Sequence, residues 1–127
     1  MKKNIFVALD FSNFDKALDI ANKVKNDAAG IKITNELFAL CGKEGLKKIS
    51  DFGLDIFLDL KILDIPNTVK KTVASIASLK IVKYLTVHIS GGADMLNAAK
   101  ETSDNLKLLG VTVLTSQSSS KNQVKLL

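Results

Sequence analysis

In the segment Asp59-Leu60-Lys61-Ile62-Leu63-Asp64, an acid, a base and a second acid follow one another at intervals of two and three residues. In an extended segment alternate side chains share a face. Asp59 and Lys61 are therefore expected to project together, with Asp55 and Phe57 on the same side and Leu54, Ile56, Leu58 and Leu60 on the other. Lys32 falls at the matching depth of the preceding extended segment. Lys32, Asp59, Lys61 and Asp64 are thus expected to form an alternating chain of charges in which each ammonium favours the ionised form of the carboxylate beside it. That array suits a reaction in which negative charge leaves a carboxylate and develops on carbon. For an isolated Asp-x-Lys-x-x-Asp the competing reading is a salt-bridged cluster without function.

The elements that must hold these residues repeat along the chain. β-rich runs at Asn4–Asp10, Ala29–Thr34, Leu54–Leu60, Val82–Ile89 and Lys107–Leu114 alternate with helical patterns near Asn13–Asn26, Glu36–Asp51, Asn67–Ser78 and Ala93–Ser103. Residues 118–127 read as the start of a fifth helix. Phe14, Leu18, Ala21 and Val24 are the expected buried stripe of the first helix, and Leu37, Leu40, Leu46 and Ile49 that of the second. Such alternation implies parallel strands joined by right-handed crossovers, as an open doubly wound sheet or a (β/α)8 barrel. Polar residues late on one face of several strands favour the barrel: Asp10, Lys32, Asp59 with Lys61, and His88 all fall near strand ends, where barrel enzymes assemble their sites. The fold expected is α/β, a partial TIM (β/α)8 barrel of strands one to five in a single domain, 1–127. With five strands out of eight, the chain reads as a fragment.

Composition bounds the function. A chain of 127 residues with 46% hydrophobic and 24% charged residues is ordinary for a soluble globular protein. The net charge is +5 and all 18 cationic side chains are lysine. Nucleic-acid readers lean on arginine forks and interleaved aromatics, whereas this chain has no Arg, no Trp and one Tyr, so no nucleic-acid partner is expected. The single Cys41 permits no intramolecular disulfide and reads as a small buried hydrophobe in a reducing compartment. Residues 1–9 imitate a secretory leader only until Asp10, and no run of about 20 apolar residues exists to span a membrane. No membrane partner is expected, and the location expected is cytoplasmic.

The ten residues Asp59–Thr68, reading Asp-Leu-Lys-Ile-Leu-Asp-Ile-Pro-Asn-Thr, closely resemble the signature of the orotidine 5'-phosphate decarboxylases. Further likenesses follow in order along the chain: Val7-Ala8-Leu9-Asp10, Ile31-Lys32 with Glu36-Leu37-Phe38, Val87 to Ala93, and Val111 to Ser116. The resemblance implies decarboxylation of orotidine 5'-phosphate to uridine 5'-phosphate in pyrimidine biosynthesis. It implies Lys61 as the donor of a proton to ring carbon six, Asp59 against the substrate carboxylate, Lys32 orienting Asp59 and the ribose, and Asp10 at the sugar or the lysine network. It places Asp64 and Thr68 in the site of a partner subunit, hence a homodimer with shared sites. Thr115 and Ser116 resemble the loop that meets the pyrimidine. No cofactor and no metal are implied. Two positions depart from the pattern: Leu63 stands where many members have His, and Thr34 where many have Gly. The family's phosphate-gripping Gln and Arg lie in later strands, so the chain alone is expected to be poorly active or inactive.

Two other readings stay open. Magnesium-dependent sugar-phosphate decarboxylases and aldolases of the same superfamily share the Asp-x-Lys-x-x-Asp element, although Asp64-Ile65-Pro66-Asn67-Thr68 argues against them. A non-catalytic half-barrel remnant is the alternative outside enzymes. Elsewhere, His88 is expected to be a hydrogen-bonded core histidine, Ser90-Gly91-Gly92 a cap and tight turn, and Lys43, Lys47, Lys48, Lys70 and Lys71 solvated helix decoration.

Overall fold

The computed structural model describes residues 4–117. Five strands alternate with four helices: β1 (Phe6–Ala8), α1 (Phe14–Val24), β2 (Gly30–Thr34), α2 (Asn35–Ser50), β3 (Asp55–Ile62), α3 (Pro66–Ser78), β4 (Val82–His88), α4 (Ala93–Glu101) and β5 (Lys107–Val111). Each expected element is present, with ends shifted by a few residues; β1 is shorter than its apolar run. The expected start of a fifth helix at 118–127 lies outside the described residues.

All strands are parallel and stand in the order β1-β2-β3-β4-β5. A doubly wound sheet reverses its strand order at a switch point. This sheet does not reverse. Repeated right-handed crossovers between consecutive strands put every helix on the same face, as barrel construction requires.

Local chemistry sets the helix boundaries. The Asn13 side chain accepts the Lys16 N–H at 3.0 Å and caps α1, and Pro66 opens α3, where its missing N–H costs nothing. The strand side chains that face the helices form the core. Ile31 and Ile33 of β2, Ile56 and Leu58 of β3 and Leu85 of β4 are fully buried with Ala17, Leu37, Leu46, Val69 and Met95 of the helices. On α1, Ala17 and Ala21 are buried, while Phe14, Leu18 and Val24 pack partly buried at the margin.

One expected core residue is not in the core. Leu40 is 56% exposed, whereas Leu37, Leu46 and Ile49 are fully buried. Gly42, at φ 56° and ψ −164°, divides α2 into two segments, so the stripe that begins at Leu37 does not run in one phase to Leu46.

Close approach between strands makes one glycine structural. A Cβ at Gly30 would collide with the Asp55 carbonyl oxygen and the Phe6 ring, which flank it from β3 and β1. Relief requires movement of backbone, so Gly30→Ala is expected to lower stability by about 1–3 kcal/mol. Urea unfolding checks this, and an unchanged midpoint would contradict the packing described.

Candidate active site

The other face of the sheet is graded along the strands. Towards their N-terminal ends Phe6, Phe57 and Tyr84 meet edge to face, with ring centroids 5.6–6.2 Å apart. With Leu109 they line an open apolar hollow of about 230 Å³. Towards the C-terminal ends the same face turns polar, where Asp59, Lys61 and Thr86 meet; Lys32 does not share the depth of Asp59 as expected, since it pairs in register with Phe57, and its long side chain reaches forward to Asp59.

Asp59 is the centre of this group and is 7% exposed. Its Oδ2 receives Lys61 Nζ at 2.8 Å and lies 3.7 Å from Lys32 Nζ. Its Oδ1 accepts the Thr86 hydroxyl at 2.8 Å. Both carboxylate oxygens are thus engaged, from three neighbouring strands. The two lysines remain about one-third open, at 37% and 31% side-chain exposure, so their ammonium groups face the space in front of the sheet.

Burial acts most strongly on Asp59 and would raise its pKa. The hydrogen bonds from Lys61 and Thr86 and the charges of Lys61 and Lys32 together outweigh burial, and its pKa falls below the ordinary value of 3.8.

Alternation alone led to the expectation that Asp59 and Lys61 meet, but the contact has a less regular origin. Between Leu58 and Ile62, four steps on β3 face the two steps from Leu85 to Val87 on β4, so β3 bulges. Lys61 sits in the bulge at φ 48°, a region that costs a non-glycine residue about 1–3 kcal/mol and persists only where surroundings impose it. Its N–H, displaced from the ladder, donates to Thr86 Oγ1 at 2.9 Å. Thr86 was missed in the sequence. It stands two residues before His88, and the alternation used for the other strands would have put it on this face.

The remaining candidates lie around this centre. Asp10 follows β1 at the same end of the sheet, exposed and with no ion pair among the described residues. Asp64 does not join the array within this chain: it is exposed beyond β3, and its Oδ1 accepts the Ile65 N–H at 2.7 Å. The four-membered chain of charges is therefore three-membered here, because the backbone leaves the sheet after Ile62. Thr68 is exposed in the first turn of α3, and Thr115 and Ser116 are exposed in the turn closed by the Gln117 N–H on the Leu114 carbonyl. Thr34 pairs in register with Asp59 and has φ −96°, which any residue adopts, so glycine is not needed there.

Four further expectations are refined. His88 is half-buried, and its ring has no hydrogen bond among the described residues, because it ends β4 on the open face; it is not a hydrogen-bonded core histidine. Lys70 does more than meet solvent: it binds Glu101 of α4 at 2.8 Å. Cys41 is half-buried, and burial pushes its thiol pKa up, away from nucleophilic chemistry. Gly92, at φ 88°, makes the tight turn into α4.

Because the folded Asp59 pKa lies below the unfolded value near 3.8, its ion pairs stabilise the fold above that pH. The contribution is lost as acid carries the pH down through the folded pKa. The stability difference between the native chain and Asp59→Asn should therefore shrink as pH falls below 3.8. Urea titrations of both proteins from neutral to acid pH check this; a difference independent of pH would contradict it.

Among the described residues no helix is long and apolar enough to cross a membrane. Residues 3–126 match the family described as orotidine 5'-phosphate decarboxylase / HUMPS. The chain is 44% identical over 120 residues to an orotidine 5'-phosphate decarboxylase of Wigglesworthia glossinidia brevipalpis, covering 91% of this chain and 51% of that protein. With the enzyme of that name from Oenococcus oeni the identity is 41% over 123 residues, covering 95% and 54%. The chain thus spans about half the length of the curated relatives it matches. The crystal structure of the Lactobacillus acidophilus orotidine 5'-phosphate decarboxylase superposes with a TM-score of 0.81 at 36% identity, over 91% of this chain and 55% of that one. A conserved protein of Geobacillus kaustophilus gives 0.83 at 30% identity, over 90% and 56%. The five-stranded sheet is part of a (β/α)8 barrel. Because the family match crosses every strand and helix described above, the chain belongs to the orotidine 5'-phosphate decarboxylase / HUMPS family.

Proposed function

We propose that this chain supplies the proton donor and carboxylate of an orotidine 5'-phosphate decarboxylase, which forms uridine 5'-phosphate in pyrimidine biosynthesis. The observation that carries this reading is the Lys32–Asp59–Lys61 cluster, with its buried carboxylate and two lysine side chains about one-third exposed, at the C-terminal end of β3. The pyrimidine carboxylate enters beside Asp59. Cleavage of the bond to ring carbon six releases carbon dioxide and leaves the electron pair on that carbon. Lys61 stabilises the developing charge and gives it a proton; water then returns a proton to the lysine. Stabilisation of charge as it forms is the main contribution, since a fixed ammonium needs little reorganisation during the reaction. Lys32 keeps Asp59 in place and faces the ribose, Asp10 contacts the sugar or the lysines, and Thr115 and Ser116 meet the ring. No cofactor or metal is assigned a step. With one cysteine, the chain fits a reducing compartment, the cytoplasm.

The grip on the phosphate lies outside this role. Binding energy from a remote phosphate supports catalysis at the reacting centre. We therefore expect turnover from the chain mixed with a matching C-terminal half, and little or none from the chain alone. Loss of orotidine 5'-phosphate absorbance is the assay. Lys61→Ala should lower the rate of the mixture by at least about 100-fold, the low end of what a positioned proton donor contributes. A mixture as active with Lys61→Ala as without it would sink the assignment. A chelator should leave the rate unchanged; its abolition would favour the magnesium-dependent relatives.

We also propose a homodimer that shares its sites, with Asp64 and Thr68 reaching the partner. Support comes from the loop that carries Asp64, where Leu63 is 56% and Ile65 66% exposed. Adjacent exposed aliphatic side chains fit an interface better than a solvated loop. Sedimentation should show Ile65→Asp with weaker association than the native chain, its circular dichroism unchanged; equal association would remove Ile65 from the interface.

A further inference from the structure

We propose that Thr86 is a positioning residue for the Lys61–Asp59 pair, fixing the β3 bulge and the carboxylate through one buried hydroxyl. Its chemical purpose rests on the decarboxylase reading; its geometry does not. Thr86 is 5% exposed. Its Oγ1 accepts the Lys61 N–H at 2.9 Å and donates to Asp59 Oδ1 at 2.8 Å. A hydroxyl carries a single proton. Since the Lys61 N–H is itself a donor, that proton is committed to Asp59, and the direction of the chain from amide to hydroxyl to carboxylate is forced.

Two consequences follow from that direction. The hydroxyl takes the place of the carbonyl that β4 would offer a regular ladder, so it stabilises the backbone that carries Lys61. It also reserves Oδ1, which leaves Oδ2 for the lysines and aims the carboxylate along the sheet. The charged groups around Asp59 are Lys61 from β3 and Lys32 from β2. From β4 comes the uncharged Thr86, with His88 two residues further on the same face, and Asp10 lies past the end of β1. Thr86 is thus the uncharged contact to the carboxylate, and the one that also touches the donor's backbone.

The test compares the native chain, Thr86→Val and Thr86→Ser by nuclear magnetic resonance, following Lys61 amide exchange and the titration of the Asp59 carboxyl. Valine keeps the shape without the hydroxyl, and serine keeps the hydroxyl without the methyl. Thr86→Val should speed Lys61 exchange by about tenfold, the cost of one lost hydrogen bond. It should also move the Asp59 titration upward, because the ionised form loses a donor. Thr86→Ser should retain both native signatures. The reverse pattern, with valine native-like and serine impaired, would show that Thr86 only fills space and would overturn the proposal. If Thr86→Val unfolds, the native chain and Thr86→Ser decide. Lys61 amides protected in both support the proposal, whereas exchange as fast as that of the loop residues Leu63 and Asp64 overturns it. Both readouts use free protein. A mixture silent in the decarboxylase assay with these signatures intact would remove the reaction and leave the role of Thr86 standing.

Discussion

A single buried carboxylate organises the polar end of this sheet. An ion withdrawn from water is costly unless it is paired and hydrogen-bonded, and removing one partner leaves the other uncompensated. Asp59 meets that demand with contacts from β2, β3 and β4, so three strands must keep register for one charge to be tolerated. The strained backbone at Lys61 depends on the same arrangement. Geometry suited to chemistry and geometry required for stability are here one set of contacts.

The sheet separates its two obligations by face. Helix-facing positions hold Ile31, Ile33, Ile56, Leu58 and Leu85 in a dry core, and that face secures the fold. The opposite face keeps its aromatic rings at one end, flanked by Asp55 and Lys107, and the Lys32–Asp59–Lys61 cluster at the other. Ion pairs set against low-dielectric surroundings act more strongly than they would in open water.

Much of this was legible in the sequence, because two signals are strictly periodic. The alternation of strand side chains put Lys32, Asp59 and Lys61 on one face, and the repeat of strand and helix indicated the parallel sheet. The order of motifs from Val7 to Ser116 pointed to the family that the comparisons identify. What escaped was local or lay beyond one chain. A positive φ at Lys61 and a break at Gly42 are backbone states that residue type does not announce, so the bulge and the exposure of Leu40 were not foreseen. Thr86 looked like an ordinary β-former, since a hydroxyl shows its partners only in three dimensions. His88 was assigned to the core on strand membership, although its place at the strand end leaves it half open.

The strand order carries a kinetic consequence. Among the described residues every pair of hydrogen-bonded strands is also consecutive in the chain, so each pairing closes a loop of only one helix and its connections. The entropic cost of closing a loop rises with its length, and sheets whose partners lie far apart in sequence fold slowly. Among the five described strands no pairing waits for a distant one. Each β/α unit can dock as it leaves the ribosome, and Asp59 acquires its last ligand, Thr86, as soon as β4 arrives, before β5 has been made.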